Sequence, residues 1–146
     1  QRYRGPVYRY LRATGADDPT AGDLTAITFE RAIRSIGSYR PGGPGLRAWL
    51  FRIARNAGID RHRAIRPVAR LDAVPPGLLH GPDEQASVEL RILIAQLAPE
   101  AREAIALRYA AGLTAREIGS IVGRSPDAVQ KTITRALAAL RQEMQS

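Results

Sequence analysis

Residues 114–137, TAREIGSIVGRSPDAVQKTITRAL, contain two helical patterns with too few residues between them for an ordinary loop. Thr114 and Glu117 fit a capping box, in which the threonine side chain accepts the third amide and the glutamate returns to the cap amide. Gly123 supplies a left-handed stop, and the Ser-Pro pair that follows restarts a helix, since proline lacks only a donor that the first turn does not use. The two helices must therefore cross steeply, which is the helix-turn-helix arrangement.

The second of these helices has an apolar side and a polar, basic side. Arginine and lysine suit guanine, glutamine suits adenine, and threonine can meet a thymine methyl or a phosphate. The pattern therefore predicts a helix that reads the major groove of DNA, although a simple helical hairpin has a similar turn. The outward residues are Asp127, Gln130, Lys131, Thr134 and Arg135.

A second feature is the stretch 67–87, which holds four prolines and two glycines without any sustained period and is typical of a flexible linker. We therefore predict two small helical domains, residues 1–66 and 88–146, joined by that Pro/Gly-rich linker. Only 5% of residues are aromatic, which suits two small cores as well as one large core. The predicted fold class is all-α.

Three helices are predicted before the linker. The first has apolar positions at helical spacing from Val7 to Leu11, and the second begins at Asp18-Pro19, with Asp18 as its cap. Residues 39–45, YRPGGPG, cannot be helical. The second helix has an apolar stripe of Phe29, Ala32, Ile33 and Ile36, and the third has one of Leu46, Leu50, Ile53, Ala54 and Ala57.

The third helix is basic on the side away from its stripe. Residues 46–66 contain six arginines and one carboxylate, Asp60, so ion pairs within the helix cannot neutralise them. With Trp49 at the margin of this face, the pattern suits an unstacked nucleic-acid strand. Packing of Trp49 in the core is the alternative. The residues of the basic face are Arg52, Arg55, Asn56, Arg63 and Arg66.

Overall charge agrees with a polyanionic partner. The net charge is +8, and residues 1–66 carry 13 basic and 5 acidic side chains, whereas residues 88–146 carry 8 and 6. The alternative explanation of this charge is a soluble surface that happens to be rich in arginine. The absence of cysteine suits a reducing cytoplasm, and no apolar run approaches the roughly 20 residues of a membrane span, so we predict no membrane insertion. Because the sequence begins with Gln1, we expect the natural N-terminus to lie upstream.

The sequence does not favour an enzyme. His62 and His80 lack metal-ligand spacing, and there is no Ser/His/Asp constellation or phosphate-binding glycine loop. An acidic cluster of Asp17, Asp18 and Asp23 could be imagined as a metal site, but a helix cap explains Asp18 better. We therefore predict no catalytic residues, no metal and no cofactor.

The order of these motifs resembles that of bacterial RNA polymerase sigma factors of the extracytoplasmic-function group. The resemblance rests on DLTAITFERAI, LRAWLFRIARNAGIDRHR, the proline-rich linker, and the stretch from LAPEAREAIALRYAAGLT to the last helix. It implies that residues 1–66 are sigma region two and residues 88–146 are sigma region four. It also implies core RNA polymerase and promoter DNA as partners, regulation by an anti-sigma factor, and no enzymatic activity.

The resemblance also implies roles for individual residues. Those that fall on the helix facing the polymerase clamp are Asp23, Leu24, Thr25 and Phe29. Those on the helix that meets the downstream promoter element are Arg52, Arg55, Asn56, Asp60 and Arg63, and the loop before it helps to capture a flipped base. Those that read the upstream element are Gln130, Lys131, Thr132, Thr134 and Arg135.

The sequence departs from the family pattern in two places. Ala26 and Ile27 stand where Gln-Glu is usual, which affects the polymerase-binding helix, and Pro126-Asp127-Ala128 replaces the usual start of the recognition helix. A conventional helix-turn-helix regulator is the alternative function, since LTAREIGSIVGRS is similar to the DNA-binding module of response regulators. Such proteins usually have an alternating strand and helix domain, and residues 1–66 show no strand periodicity.

Overall fold

The structure is a computed structural model that describes residues 2–40, 45–65 and 92–145. Those residues form helices and turns without any strand, which confirms the all-α prediction. The linker at 67–87 lies outside the described residues, so the domain boundaries stay a prediction. The helices are α1 (Arg4–Ala13), α2 (Asp18–Ser35, followed by a 3-10 turn Ile36–Ser38), α3 (Leu46–Ile65), α4 (Pro99–Ile105, continued by a π-helical turn Ala106–Ala110), α5 (Ala115–Val122) and α6 (Pro126–Gln145).

The start of α2 corrects one sequence prediction by a single residue. Its cap is Asp17 rather than Asp18, because the Asp17 Oδ1 atom accepts the Thr20 amide at 2.9 Å. This hydrogen bond lowers the pKa of the Asp17 carboxyl group. Asp18 lies in the first turn, where it pairs with Arg12 at 3.3 Å and ties α2 to α1.

The buried face of α2 is also displaced from the predicted stripe. Ile33 was expected in the core, but its side chain is 74% exposed, and Ile36 is exposed as well. The interior face instead includes Thr25 and Thr28, whose hydroxyls each donate to a carbonyl four residues earlier at 2.7 Å. Because those internal hydrogen bonds satisfy both hydroxyls, burial of the threonines carries little penalty and the helix can rotate the isoleucines outward.

The buried side chains of both halves form one contiguous cluster. Tyr10 of α1 meets Phe51 of α3 edge-on, with ring centroids 5.7 Å apart, and both rings are almost fully buried. The π-helical turn after α4 packs on α1, and α5 packs on α3. The two predicted domains therefore lie against each other, with Leu107 and Leu113 among the buried residues of the C-terminal half.

The predicted helix-turn-helix is confirmed in its local geometry. Both bonds of the capping box are present: the Thr114 hydroxyl accepts the Glu117 amide at 3.1 Å, and the Glu117 carboxylate accepts the Thr114 amide at 2.9 Å. Gly123 has φ +79° and ends α5 in the left-handed conformation. The Ser125 hydroxyl accepts the Ala128 amide at 3.1 Å and so caps α6.

Gly119 allows the two helices of this motif to approach closely. Its carbonyl accepts the amides of Gly123 at 2.8 Å and Arg124 at 3.1 Å, which folds the turn back onto α5. A Cβ atom at position 119 would lie only 2.4 Å from the Arg124 carbonyl oxygen. The turn therefore requires glycine here for space, because the backbone itself occupies the position of a side chain.

Candidate nucleic-acid interface

The outward face of α6 is open to solvent. Gln130, Lys131, Thr134 and Arg135 are exposed, whereas Thr132 is half-buried and its hydroxyl accepts Arg124 Nη1 at 3.0 Å. Among the described residues, neither Lys131 nor Arg135 forms an ion pair, so both cations are available to an anion. Four of the five residues predicted for duplex recognition thus share an accessible face, and Thr132 supports the turn.

The opposite side of α6 is buried and fixes the orientation of this face. Its buried residues are Val129, Ile133, Ala136 and Leu140. A helix held on one side by the core and basic on the other can lie in a groove of DNA without unfolding. The arrangement is rigid, because the cap at Ser125 and the close approach at Gly119 both fix where α6 begins.

The basic face of α3 is divided into two parts. Arg52, Asn56 and Arg63 are exposed, whereas Arg55 is half-buried, and both Arg52 and Arg55 contact the C-terminal half. Arg55 Nε donates to the Glu103 carboxylate at 2.7 Å, and the Arg52 guanidinium donates to the Ser120 carbonyl. The α3 helix has too few acids of its own, but other helices supply partners for Arg52 and Arg55, which corrects the expectation that only an anion outside the chain could pair with this face.

Asp60 has a structural contact. Its carboxylate pairs with Arg31 of α2 at 3.1 Å, and both side chains are largely exposed. Next to this pair, a shallow groove between α2 and α3 brings Arg31 and Arg34 beside Asn56. Sequence reasoning missed these two arginines because they lie on another helix, and only the packing of α2 on α3 brings them to the predicted strand-binding face.

Trp49 packs against Tyr39, with ring centroids 5.2 Å apart and ring planes tilted by 55°. The tryptophan is half-buried and also packs against the hydrophobic core, which was the alternative that the sequence left open. Tyr39 is the first residue of the 39–45 loop, which the family resemblance assigns to base capture, and residues 41–44 of that loop lie outside the described residues. The role of that loop stays a prediction.

The residues predicted to face a polymerase separate into buried and accessible ones. Leu24 and Thr25 are 4% and 3% exposed, so in this conformation they pack the core and cannot meet a partner directly. Asp23 is exposed and Phe29 is half-buried. Ile33 contributes a large exposed apolar side chain to the same helix, which the sequence reading had assigned to the core.

Within the described ranges, no group of three or more histidine, cysteine, aspartate or glutamate residues is placed to hold a metal ion. None of the helices there has the length and apolar character that crossing a membrane requires.

An all-helical chain with an arginine-rich helix and a terminal helix-turn-helix has the architecture of a DNA-binding transcription protein. Residues 1–67 match the family described as Sigma-70 region 2, and residues 87–140 match Sigma-70 region 4. The chain belongs to the extracytoplasmic-function family of RNA polymerase sigma factors.

Curated relatives match nearly the whole chain. RNA polymerase sigma factor CarQ of Myxococcus xanthus is 34% identical over 97% of this chain and 84% of its own length. ECF RNA polymerase sigma factor SigM of Bacillus subtilis is 30% identical over 97% of this chain and 90% of its own length. ECF RNA polymerase sigma factor BldN of Streptomyces coelicolor is 31% identical over 95% of this chain, which spans only 56% of that relative.

Two solved structures share the fold. The structure of CnrH in complex with the cytosolic domain of CnrY has a TM-score of 0.74 at 26% identity, and the match covers 99% of this chain and 83% of that chain. The sigma factor RpoE in complex with the anti-sigma factor NepR from Bartonella quintana has a TM-score of 0.76 at 21% identity, with coverage of 99% and 93%.

Proposed function

We propose that this chain binds core RNA polymerase and directs it to promoter DNA as an initiation subunit. The observation that carries this proposal is the exposed polar face of α6, held at a fixed angle by a fully formed helix-turn-helix turn. Family membership supports the same role, because the relatives are RNA polymerase sigma factors. Sigma factors are not catalytic enzymes. The proposed place of action is the cytoplasm, where RNA polymerase works.

The two halves would divide promoter recognition. Residues 88–146 would read the upstream element as duplex through Gln130, Lys131 and Arg135, whose side chains suit base edges and phosphates. Residues 1–66 would hold the separated strand on α3, where Asn56 and Arg63 are already accessible. The domain division proposed from the sequence fits this assignment.

The proposed polymerase contact lies on α2 and on the 3-10 turn that follows it. Asp23 offers an exposed carboxylate, and Ile33 and Ile36 offer exposed apolar side chains of the kind that mark protein interaction sites. Ala26 is also exposed, so the absence of the usual polar residue at that position affects the surface rather than the core. Apolar contacts would then carry more of the polymerase affinity in this chain than polar ones.

A regulatory protein partner is part of the proposal. CnrH, which is similar to this chain along most of its length, was solved in complex with the cytosolic domain of CnrY. We propose an anti-sigma factor as the corresponding partner here.

The test is run-off transcription with purified core polymerase and a promoter library, comparing the parent with Lys131→Ala, Arg135→Ala and the control Arg141→Ala. All three changes remove one positive charge from an exposed position on α6, but only the first two belong to the predicted recognition residues, because Arg141 lies nearly two turns beyond Arg135 toward the C-terminal end of the helix. Each lost phosphate contact should lower the slope of log affinity against log salt by about 0.9, and a lost base contact should relax specificity.

Transcripts that start at defined promoters, reduced by the first two changes and retained by Arg141→Ala, would support the proposal. Unaltered promoter affinity in both recognition-face variants would disprove the assignment of α6. A conventional duplex-binding regulator would bind promoter DNA without core polymerase and yield no transcript with it.

A further inference from the structure

Arg124 lies in the turn of the helix-turn-helix and contacts α4, α5 and α6. Its amide donates to the Gly119 carbonyl of α5 at 3.1 Å. Its guanidinium reaches the other two helices through one atom: Nη1 lies 2.8 Å from the Glu100 carboxylate of α4 and donates to the Thr132 hydroxyl of α6 at 3.0 Å. The side chains of Glu100, Arg124 and Thr132 therefore form a brace across the turn, which we name the turn brace.

The backbone of Arg124 is held in one place, so its side chain begins from a fixed point. Its carbonyl oxygen lies only 2.4 Å from the position that a Cβ atom of residue 119 would take. A hydrogen bond from a charged donor is stronger than one between neutral groups. Because the side chains of Arg124 and Thr132 are both half-buried, their bond is also stronger than it would be in water. The bond therefore transmits the fixed position of the turn to α6.

Thr132 lies on the flank of α6, between the buried side of the helix and its exposed side. Lys131 before it is exposed and Ile133 after it is buried, and successive residues are rotated by about 100° around the axis. The buried apolar side chains hold α6 against the core, but hydrophobic contact has no preferred direction. A hydrogen bond does have a preferred direction. The bond at Thr132 therefore opposes rotation of α6 about its own axis.

Rotation of α6 would disturb contacts to bases more than contacts to phosphates. A helix with its side chains is about 10–12 Å across, so a rotation of about 10° moves a surface atom by about 1 Å. A hydrogen bond to a base edge is lost over that distance. The attraction between a flexible cationic side chain and a phosphate weakens only gradually with distance. Loss of the turn brace would therefore reduce sequence specificity more than general affinity for duplex DNA.

From this geometry we propose that Arg124 is a positioning residue that determines promoter specificity. Through the Thr132 hydroxyl it fixes the rotation of α6, and so it aligns Gln130 and Lys131 with the base edges of the upstream element. The inference rests on the proposed function, since it assigns the reading of duplex DNA to α6. Thr132 then contributes to recognition through its bond with Arg124, and makes no base contact of its own.

The experiment compares Thr132→Val, Arg124→Met and the double variant in the full chain. Valine keeps the shape of threonine and lacks the hydroxyl, and methionine keeps an unbranched stem and lacks the guanidinium. Thr132→Ser is the rescue variant, because serine retains the hydroxyl that accepts from Arg124. Arg141→Met is the charge control, since it removes one positive charge from an exposed position near the end of α6.

Fluorescence anisotropy measures affinity, without polymerase, for a duplex oligonucleotide that the parent chain selects from a random pool and for the same duplex with single base pairs exchanged. The ratio of the two affinities is the discrimination ratio. We expect Thr132→Val and Arg124→Met each to lower this ratio by about fivefold, the lower end of what one base contact contributes. Because both changes break the same bond, the double variant should also lose about fivefold rather than about 25-fold.

Thr132→Ser and Arg141→Met should discriminate between the duplexes as the parent does. Urea denaturation confirms that each variant is folded under the conditions of the binding measurement.

A parental discrimination ratio in Thr132→Val would overturn the proposal. Losses that multiply in the double variant would also overturn it, because they would show that Thr132 reads a base independently of Arg124. An unchanged ratio in Arg124→Met, with a salt slope lowered by about 0.9, would make Arg124 a phosphate ligand instead. Failure of the proposed function would appear separately, as absence of promoter-dependent transcripts with core polymerase, while the discrimination ratio would still report on the turn brace.

Discussion

Replacement of Gly119 by alanine tests whether the tight turn of the helix-turn-helix is set by backbone contact. Helix propensity alone predicts that alanine stabilises a helical glycine position by about 0.8–1 kcal/mol. At Gly119, however, the added Cβ would lie 2.4 Å from the Arg124 carbonyl oxygen, whereas ordinary contact begins at 3.4 Å. The obstructing atom belongs to the backbone, so no side-chain rotation relieves the clash.

The expected loss of stability follows from the movement that separates the added Cβ atom from the Arg124 carbonyl oxygen. Separating the two atoms by about 1 Å resembles overpacking, which costs about 1–3 kcal/mol. The shift also weakens the bonds from the Gly123 and Arg124 amides to the Gly119 carbonyl, each of which contributes about 0.5–1.5 kcal/mol. Since the propensity gain offsets part of these losses, we expect Gly119→Ala to lower the free energy of unfolding by about 2–4 kcal/mol.

Gly22→Ala is the matched control. Gly22 lies inside α2 and nothing would lie within 4 Å of its added Cβ, so the same substitution should raise the free energy of unfolding by about 0.5–1 kcal/mol. Urea denaturation followed by circular dichroism measures both values, with unchanged slopes as the check that only stability differs. If Gly119→Ala proves as stable as the parent, the close approach does not exist and the angle between α5 and α6 must be different.

The other two predictions concern α2 and α3. Asp17→Ala should lower the free energy of unfolding by about 1 kcal/mol at pH 7, as expected for loss of an N-cap. Asp17→Asn should retain most of the stability that the cap provides, because asparagine is also a good N-cap. The hydrogen bond from the Thr20 amide holds the pKa of Asp17 below the usual 3.8. The stability that the ionised Asp17 adds to the parent is therefore complete above that usual pKa and is lost as the pH falls through the lowered pKa. Urea titrations across that pH range would detect the loss. Asn56→Ala should weaken single-stranded promoter binding by about fivefold and leave duplex binding unchanged, measured by anisotropy; equal losses for both DNA forms would count against a strand-specific role.

Local features of the fold were predictable because their causes lie within a few residues. The capping box at Thr114 and the left-handed stop at Gly123 each need only neighbouring backbone groups, and the structure contains both. The need for glycine at position 119 could not be read in the same way. It depends on how close the Arg124 carbonyl comes after the chain has turned, which is a distance between backbone atoms.

On α2, an error of one helical position changed which side chain was assigned to the core. Ala32 and Ile33 are adjacent, and helical spacing placed both in the apolar stripe, but only Ala32 is buried. The deciding feature was polar: Thr28 can enter the core because its hydroxyl bonds to the carbonyl of Leu24. A hydropathy pattern does not record such internal hydrogen bonds, so it placed an exposed isoleucine, Ile33, in the core.

The expectation that the arginines of α3 lack partners within the chain was wrong where a partner comes from a distant part of the sequence. Counting charges on α3 correctly showed that its arginines lack local acids, but Arg55 meets Glu103 across 48 positions of sequence. No periodicity connects the two residues.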